Sequence, residues 1–241
     1  MSLWMTRIAL ISGVLLAGLS SLTGFAQANE LLKGKYLVAA LQQGNNVIYL
    51  RHSATDSSTI DKNRTDLTQW TQQRNLSNQG REQARIIGRV IKALNIPIAD
   101  VVSSPYCRCI ETAQLAVGRT RTSADLAFAF AVPKPQAKRY GAALLKMLQK
   151  QPAAGQNNLV VAHSSNLKEA NGMWPKPEGV TMIFRPSADG SIALIGRVEP
   201  QEWVSLAESV GVSIDLSPAA ASPDMRPTWC GGQQLDAMHQ R

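Results

Sequence analysis

Residues 47–56, with the sequence VIYLRHSATD, contain a strand pattern that ends in a pair of polar residues. The run from Val47 to Leu50 is apolar without alternation, which is typical of a strand that helices cover on both faces. The run ends at Arg51 and His52, and burial of either side chain without a partner is costly. The pair must therefore meet a structural carboxylate, a metal ion or an anion that comes from outside.

Helical and strand patterns alternate on both sides of this stretch. Apolar residues at helical spacing predict a helix over residues 30–43, and Ser77 is a suitable cap for a second helix through residue 94. Further strands are predicted at 98–104, 158–162, 180–186 and 191–198, and further helices at 105–117, 136–151, 165–171 and 200–211. This order predicts an α/β three-layer sandwich with a mostly parallel central sheet, in which the last two strands form an antiparallel hairpin.

The composition is that of one globular domain with two atypical ends. The chain has 241 residues, of which 44% are hydrophobic and 17% are charged. Residues 1–28 combine Arg7, an apolar run of about a dozen residues and a small-x-small site, which predicts a secretory signal peptide too short to anchor the protein stably in a membrane. We expect a domain at 29–211, a loosely ordered tail at 212–241, and an exported protein that is periplasmic or secreted.

The formal net charge of +8 favours an anionic partner. The sequence has no block of Lys and Arg with interleaved aromatic residues, so we expect no nucleic-acid partner. The cysteines at 107, 109 and 230 allow at most one intramolecular disulfide in an oxidising compartment. Cys230 could pair with either of the other two, and a free buried thiol is an equal alternative.

Polar residues follow each of the three strands that are predicted to be parallel. Arg51 and His52 end the first strand, Ser104 and Arg108 follow the second, and His163 and Ser164 follow the third. Because ligands bind at the carboxyl ends of parallel strands, we expect these side chains to converge on one edge of the sheet.

The two histidines could bind a metal, but the two arginines beside them favour an anion. A zinc site needs a third protein ligand, and Arg51 and Arg108 would repel a divalent cation. Guanidinium groups match the oxygens of a phosphoryl group. Between two guanidinium groups His52 should stay neutral, with a lone pair for attack on phosphorus, and no metal or cofactor is then required.

The motifs that carry these residues resemble the histidine phosphatase superfamily, which has the phosphoglycerate-mutase-like fold, in its first branch. The resemblance rests on LRHSATD, QRNLSNQGREQARIIG, SSPYCRCIETA and VVAHSSNL, in this order along the chain. It implies that His52 is the nucleophile and that Arg51, Arg108 and His163 bind phosphate. Arg74, Ser104 and Ser164 are further candidates for contact with the substrate, and Ser53 stands where many members carry Gly.

The sequence departs from the family in the general acid that protonates the leaving oxygen. Many members place a Glu or Asp between the second and third motifs, where this chain offers only Asp125. Glu178 lies on a predicted loop at the proper edge of the sheet and is the preferred candidate, since burial would keep it protonated.

The sequence thus predicts a metal-independent phosphomonoesterase that acts through phosphohistidine on a small phosphorylated substrate or an envelope-linked phosphate. A phosphate-binding protein with the same pocket but no turnover is the alternative from another class. A phosphomutase is a third reading, and it would need a pocket that excludes water.

Overall fold

The strands of the computed structural model form a single six-stranded sheet. The structure describes residues 30–64, 66–217 and 230, so the predicted signal peptide and most of the predicted tail lie outside the described residues. The strands are β1 (Val47–Arg51), β2 (Ile98–Ser103), β3 (Arg121–Thr122), β4 (Asn157–Ala162), β5 (Thr181–Pro186) and β6 (Ile192–Val198). The two-residue strand β3 has no apolar run, and the sequence pattern did not predict it.

Six α-helices cover this sheet within the described part of the chain. They are α1 (Gly34–Gln43), α2 (Asn78–Ala93), α3 (Cys107–Val117), α4 (Lys134–Gln149), α5 (Ser164–Asn171) and α6 (Glu202–Glu208). Helix α3 begins at Cys107 and not at Pro105, because Tyr106 at its N-cap keeps an extended backbone. Among these residues no helix combines the length and the apolar character that crossing a membrane requires.

The strand order is β3-β2-β4-β1-β5-β6. Strands β1 to β4 run parallel, whereas β5 pairs antiparallel with both β1 and β6. The predicted mostly parallel sheet and its terminal hairpin are therefore confirmed. Strand β4 lies between β1 and β2, with Arg51 opposite Ala162 and Ser103 opposite Val161, so the residues that follow these three strands emerge together at one edge.

Successive residues of β1 point into two separate hydrophobic cores. Ile48 and Leu50 belong to the core beneath α1, α2, α3 and α6. Val47 and Tyr49 belong to the core beneath α4 and α5. Since both faces of the strand are covered, its sequence is continuously apolar, and the predicted three-layer arrangement is confirmed.

A disulfide joins the start of α3 to the C-terminal region. Cys107 pairs with Cys230, and Cys109 is a buried free thiol, which resolves the alternatives that the sequence left open. Nearer the domain, Val212 and Ile214 pack against the first core, and the Ser217 carbonyl accepts a hydrogen bond from Arg89. The first residues of the predicted tail are thus in contact with the domain.

Candidate active site

The strand-end residues meet in a cavity of about 270 Å³ at the carboxyl edge of the sheet. The imidazole rings of His52 and His163 lie with their centroids 5.3 Å apart. Of the residues singled out in the sequence, the wall of the cavity contains Arg51, His52, Arg74, Arg108, His163, Ser164 and Glu178. The structure therefore brings these seven candidates together, whereas Ser104 and the alternative acid Asp125 lie outside the wall.

His52 is held in one orientation by the backbone beside it. The ring is 5% exposed, and Nδ1 lies 3.0 Å from the Ser53 carbonyl oxygen. A carbonyl can only accept, so Nδ1 carries the proton and Nε2 keeps its lone pair. Burial, followed by the Arg108 charge, holds the pKa of His52 well below its usual value. His52 is thus a neutral imidazole with a free Nε2.

His163 is held by a hydroxyl behind it. Its Nε2 lies 2.9 Å from Ser104 Oγ, and Ser104 is fully buried outside the cavity wall. The structure therefore places Ser104 as a partner of His163, whereas direct contact with the substrate had been predicted for it. Burial and the Arg108 charge also hold the pKa of His163 well below its usual value, so this ring is neutral in the free protein near pH 7.

The lowered pKa values of His52 and His163 predict a pH dependence of stability and activity. Below the unfolded-state pKa of about 6.5 the unfolded chain takes up protons at these rings while the folded protein does not. The free energy of unfolding should therefore decrease as the pH falls from this value towards the folded pKa. Protonation of His52 should lower kcat/KM only well below pH 6.5. Denaturant titrations and rate profiles over this pH range test both expectations, and a rate profile that falls at pH 6.5 would contradict the second.

The guanidinium groups of the cavity are partly engaged by two carboxylates. Arg51 Nη2 lies 3.2 Å from Glu178 Oε1, and Arg108 Nη1 lies 3.0 Å from Asp61 Oδ1. Within the described part of the chain, the Nε atoms of Arg51 and Arg74 are buried and have no hydrogen-bond partner, and a bound anion is one group that could supply one. Four arginines and two carboxylates line the cavity, so its formal charge is positive when both histidines are neutral.

Glu178 is tied to the loop that follows the nucleophile. Its carboxylate accepts from the Thr55 backbone N–H at 2.8 Å and from Thr55 Oγ1 at 2.9 Å, besides the ion pair with Arg51. It also lies 3.5 Å from Arg74 Nη2. Asp125, the alternative acid, is exposed in a short 3-10 helix outside the cavity wall. Of the two carboxylates that the sequence offered, only Glu178 faces the site.

Sequence reasoning missed Asp61, a second carboxylate in the cavity. Its side chain is 8% exposed, pairs with Arg108 and also accepts from the Arg74 backbone N–H at 2.8 Å. Asp61 lies on the polar segment 53–76, which connects β1 to α2 and is longer than most loops of compact domains. The local sequence has no periodicity that would direct this side chain towards Arg108, so only the length of the loop pointed to a role.

The contacts of Thr112 and Gly80 explain why these residue types stand in the motifs SSPYCRCIETA and QRNLSNQGREQARIIG. Thr112 Oγ1 accepts from the Ser53 N–H at 3.0 Å and donates to the Arg108 carbonyl at 2.6 Å, which links the loop after His52 to α3. Gly80, in the first turn of α2, packs against the same loop. A Cβ atom at Gly80 would lie 1.8 Å from the Ala54 carbonyl oxygen, a distance that real atoms do not tolerate.

The variant Gly80→Ala should therefore displace the segment that orients His52. We expect a loss of about 1–3 kcal/mol in the free energy of unfolding, which is the usual effect of overpacking, together with a lower kcat. Denaturant unfolding and steady-state kinetics measure the two effects. Gln79→Ala is the matched control, since Gln79 is the exposed neighbour on the same helix turn. Equal behaviour of the two variants would show that the close contact is unimportant.

Neither Cys107 nor Cys109 is a candidate nucleophile beside the two histidines. Burial raises the pKa of Cys109 to about 12, so this thiol stays protonated near neutral pH. Cys107 is in the disulfide. Within residues 30–64, 66–217 and 230, no group of three or more His, Cys, Asp or Glu side chains is arranged to hold a metal ion.

Comparison with known proteins identifies one family model, that of the histidine phosphatase superfamily (branch 1), over residues 47–127. The fold is similar to that of a phosphoserine phosphatase mutant from Entamoeba histolytica, with 16% identity, a TM-score of 0.46, and coverage of 65% of this chain and 98% of that one. The protein histidine phosphatase SixA is 15% identical to this chain, with a TM-score of 0.45 and coverage of 65% of this chain and 98% of that one. A mycobacterial glucosyl-3-phosphoglycerate phosphatase is 16% identical, with a TM-score of 0.45 and coverage of 65% of this chain and 100% of that one. No curated protein matches the sequence at a significant level.

Proposed function

We propose that this chain, whose residues 47–127 match the model of the histidine phosphatase superfamily (branch 1), hydrolyses phosphate monoesters through a phosphohistidine formed on His52. The family match supports phosphatase activity in general. The proposal adds the nucleophilic atom, the groups that hold the phosphoryl oxygens and the independence of metal ions.

The orientation of His52 is the observation that carries this proposal. Its Nδ1–H donates to the Ser53 carbonyl, and Nε2 is left as a neutral lone pair beside a cavity with an excess of positive charge. A nucleophile towards phosphorus needs this lone pair, and the phosphoryl group needs the surrounding donors. Arg51, Arg108 and His163 line the same cavity and would hold the three phosphoryl oxygens.

In the first step the His52 Nε2 lone pair forms a bond to phosphorus as the ester P–O bond breaks. The departing oxygen takes the electron pair of that bond and a proton from Glu178, which we propose receives this proton from the bound ester monoanion once the phosphate has replaced Glu178 at Arg51. The phosphorylated ring carries a positive charge, and the Ser53 carbonyl that accepts from Nδ1–H stabilises it.

In the second step a water molecule attacks phosphorus and the Nε2–P bond breaks. The same carboxylate accepts the proton that this water loses, so His52 returns to its neutral form and inorganic phosphate is released. One carboxyl group thus serves as acid and then as base. No oxidant, reductant or cofactor enters either step.

Trapping of the intermediate tests the proposed chemistry. Protein that is quenched during turnover of a ³²P-labelled ester should carry label that is lost in acid and retained in alkali, as expected for a phosphoramidate bond. The label should map to His52, and turnover should persist in excess chelator. Turnover without such a labelled species, or loss of turnover with the chelator, would contradict the mechanism, and binding without turnover would favour the phosphate-binding alternative.

The variant Glu178→Gln should separate esters by their leaving groups. A poor alkoxide leaving group needs a proton, so its kcat should fall by about 10²–10⁴-fold, whereas an activated 4-nitrophenyl ester should be affected far less. Equal losses on both ester types would show that Glu178 acts only through its contacts with Arg51 and Thr55. Rates for an alkyl and a nitrophenyl ester measured in parallel give this ratio.

Asp61→Asn is the matched comparison, because Asp61 is the other carboxylate of the cavity. We propose that Asp61 neutralises Arg108 until a phosphate replaces it. Asp61→Asn should then strengthen product inhibition by inorganic phosphate several-fold, because a competing anion is lost. If Asp61→Asn shows the leaving-group dependence instead of Glu178→Gln, the acid is Asp61.

The proposed setting is an exported protein that acts on small or envelope-linked phosphate esters. The predicted signal peptide at 1–28 supports export, and the Cys107–Cys230 disulfide suits an oxidising compartment. Mass spectrometry of the protein recovered outside the cytoplasm would test this directly, with a mature chain beginning near Asn29 as the expected result.

A further inference from the structure

Three aromatic side chains border the outer part of the cavity. We call Phe128, Phe130 and Trp174 the aromatic rim, and all three belong to the cavity wall. Phe130 is 49% exposed and Trp174 is 40% exposed. Ile60, also in the wall, is 72% exposed. Large apolar side chains that are exposed together at the entrance of a polar pocket point to a ligand that covers them.

The aromatic rim extends from the phosphate-binding groups to the solvent. The Phe128 ring centroid lies 5.1 Å from that of His163, and 5.9 Å from that of Phe130. Phe130 in turn stacks on Trp174 at 5.3 Å with an interplanar angle of 28°. A group attached to a phosphate at His52 and His163 would leave the inner part of the cavity along these rings.

Two features keep this surface in a defined geometry. Lys168 Nζ lies 5.7 Å from the Phe130 ring centroid and 5.5 Å from that of Trp174, within the range of cation–π attraction. The Arg108 guanidinium carbon likewise lies 5.6 Å from the Phe128 ring. The aromatic rim therefore packs beside two cations of the domain.

We propose that the leaving group of the substrate carries a planar apolar ring, which packs on the aromatic rim while its phosphate lies at His52. This inference rests on the proposed function and names the class of ester. A hexose presents several hydroxyls that need hydrogen-bond partners. Four large apolar side chains of the wall, Ile60, Phe128, Phe130 and Trp174, would leave most of these hydroxyls without a partner, although the exposed Arg64 belongs to the same wall. An aryl-bearing alcohol or a phenol fits this surface better than a sugar.

Ester pairs with equal leaving-group reactivity test the proposal. Propyl phosphate and 3-phenylpropyl phosphate release nearly identical alkoxides, so a difference in kcat/KM reports contact with the remote ring. We expect the wild type to favour the phenylpropyl ester by about tenfold or more. In Trp174→Ala and Phe130→Ala this ratio should fall towards one. Tyr36→Ala is the control, since Tyr36 is an aromatic residue, 67% exposed on α1 and outside the cavity wall, and the ratio should persist there.

A binding measurement separates failure of this inference from failure of the proposed function. Propylphosphonate and 3-phenylpropylphosphonate bind without turnover, and their dissociation constants for the His52→Ala variant should differ by the same factor. Equal dissociation constants, or preferred turnover of glucose 6-phosphate over the phenylpropyl ester, would overturn the ring-bearing substrate. If the phenyl compound bound more tightly but no ester were turned over, the proposal of an aromatic subsite would stand and the proposal of phosphatase activity would be wrong.

Discussion

The variant His52→Ala should lose phosphatase activity by at least about 10⁴-fold, because it removes the proposed nucleophile and with it the proposed covalent route. His52 lines the cavity, and its Nδ1 is hydrogen-bonded to the Ser53 carbonyl, which leaves Nε2 as the nitrogen with a lone pair. His163 does not substitute for it, since its Nε2 is engaged by the Ser104 hydroxyl. Single-turnover kinetics on a nitrophenyl ester, with labelling of the protein, measure the loss.

His52→Ala should nevertheless keep the phosphate site. The four arginines of the cavity wall remain in this variant, so inorganic phosphate should still bind, and calorimetry measures this. If His52→Ala still turned over the ester, the proposed covalent mechanism would be wrong. Loss of both binding and thermal stability would instead show that the ring has a structural function, which His52→Gln, with a similar volume, would test a second time.

Arg108→Ala should have the second largest effect. Arg108 is 4% exposed, lies in the cavity wall and lowers the pKa of both histidines, so its loss removes a donor to the phosphoryl oxygens and the charge that helps keep His52 neutral. We expect kcat/KM to fall by about 10²–10³-fold, which is the usual effect of losing one donor to transition-state charge. The acid limb of the rate profile should also shift to higher pH. Arg108→Lys keeps the charge without the planar fork and should recover only part of the rate.

The ion pair between Arg108 and Asp61 gives this variant a second effect. Arg108→Ala leaves the Asp61 carboxylate buried without its counter-charge, which typically lowers the free energy of unfolding by about 3–5 kcal/mol. The double variant Arg108→Ala/Asp61→Asn removes that charge and should recover stability but not activity. If the double variant recovered activity as well, Arg108 would act on stability alone.

The strands and the residues at their ends could be predicted from the sequence because each depends on a short local pattern. The continuous apolar run of β1 followed by Arg51 and His52 indicates a strand between two cores that ends at a polar site. Ser77 at the start of α2 and the Gly at 80 are likewise local signals, since Ser77 Oγ accepts from the Gly80 N–H at 3.1 Å. These patterns fixed the parallel sheet and the edge at which the site lies.

The other parts of the site depend on contacts between distant segments. Asp61 reaches Arg108 across 47 positions, and the aromatic rim joins residues 128 and 130 to residue 174. No local period relates these residues. Ser104 was placed at the correct edge, but whether its hydroxyl faces the substrate or His163 depends on packing behind β2 and β4. The local pattern predicts that α3 begins at Pro105, whereas the helix begins at Cys107 because Tyr106 keeps an extended backbone.

The bond between Cys107 and Cys230 closes a covalent ring that contains Arg108, His163 and Glu178 but leaves Arg51 and His52 outside it. An unfolded chain with this ring intact is less free to separate those three residues, and in the chain-entropy view a ring of this size is worth about 4–5 kcal/mol. Thiol reduction would therefore lower the free energy of unfolding of the whole domain, and with it the stability of a site whose residues come from inside and outside the ring. The redox state of the compartment thus contributes to the stability of the folded protein and of its active site.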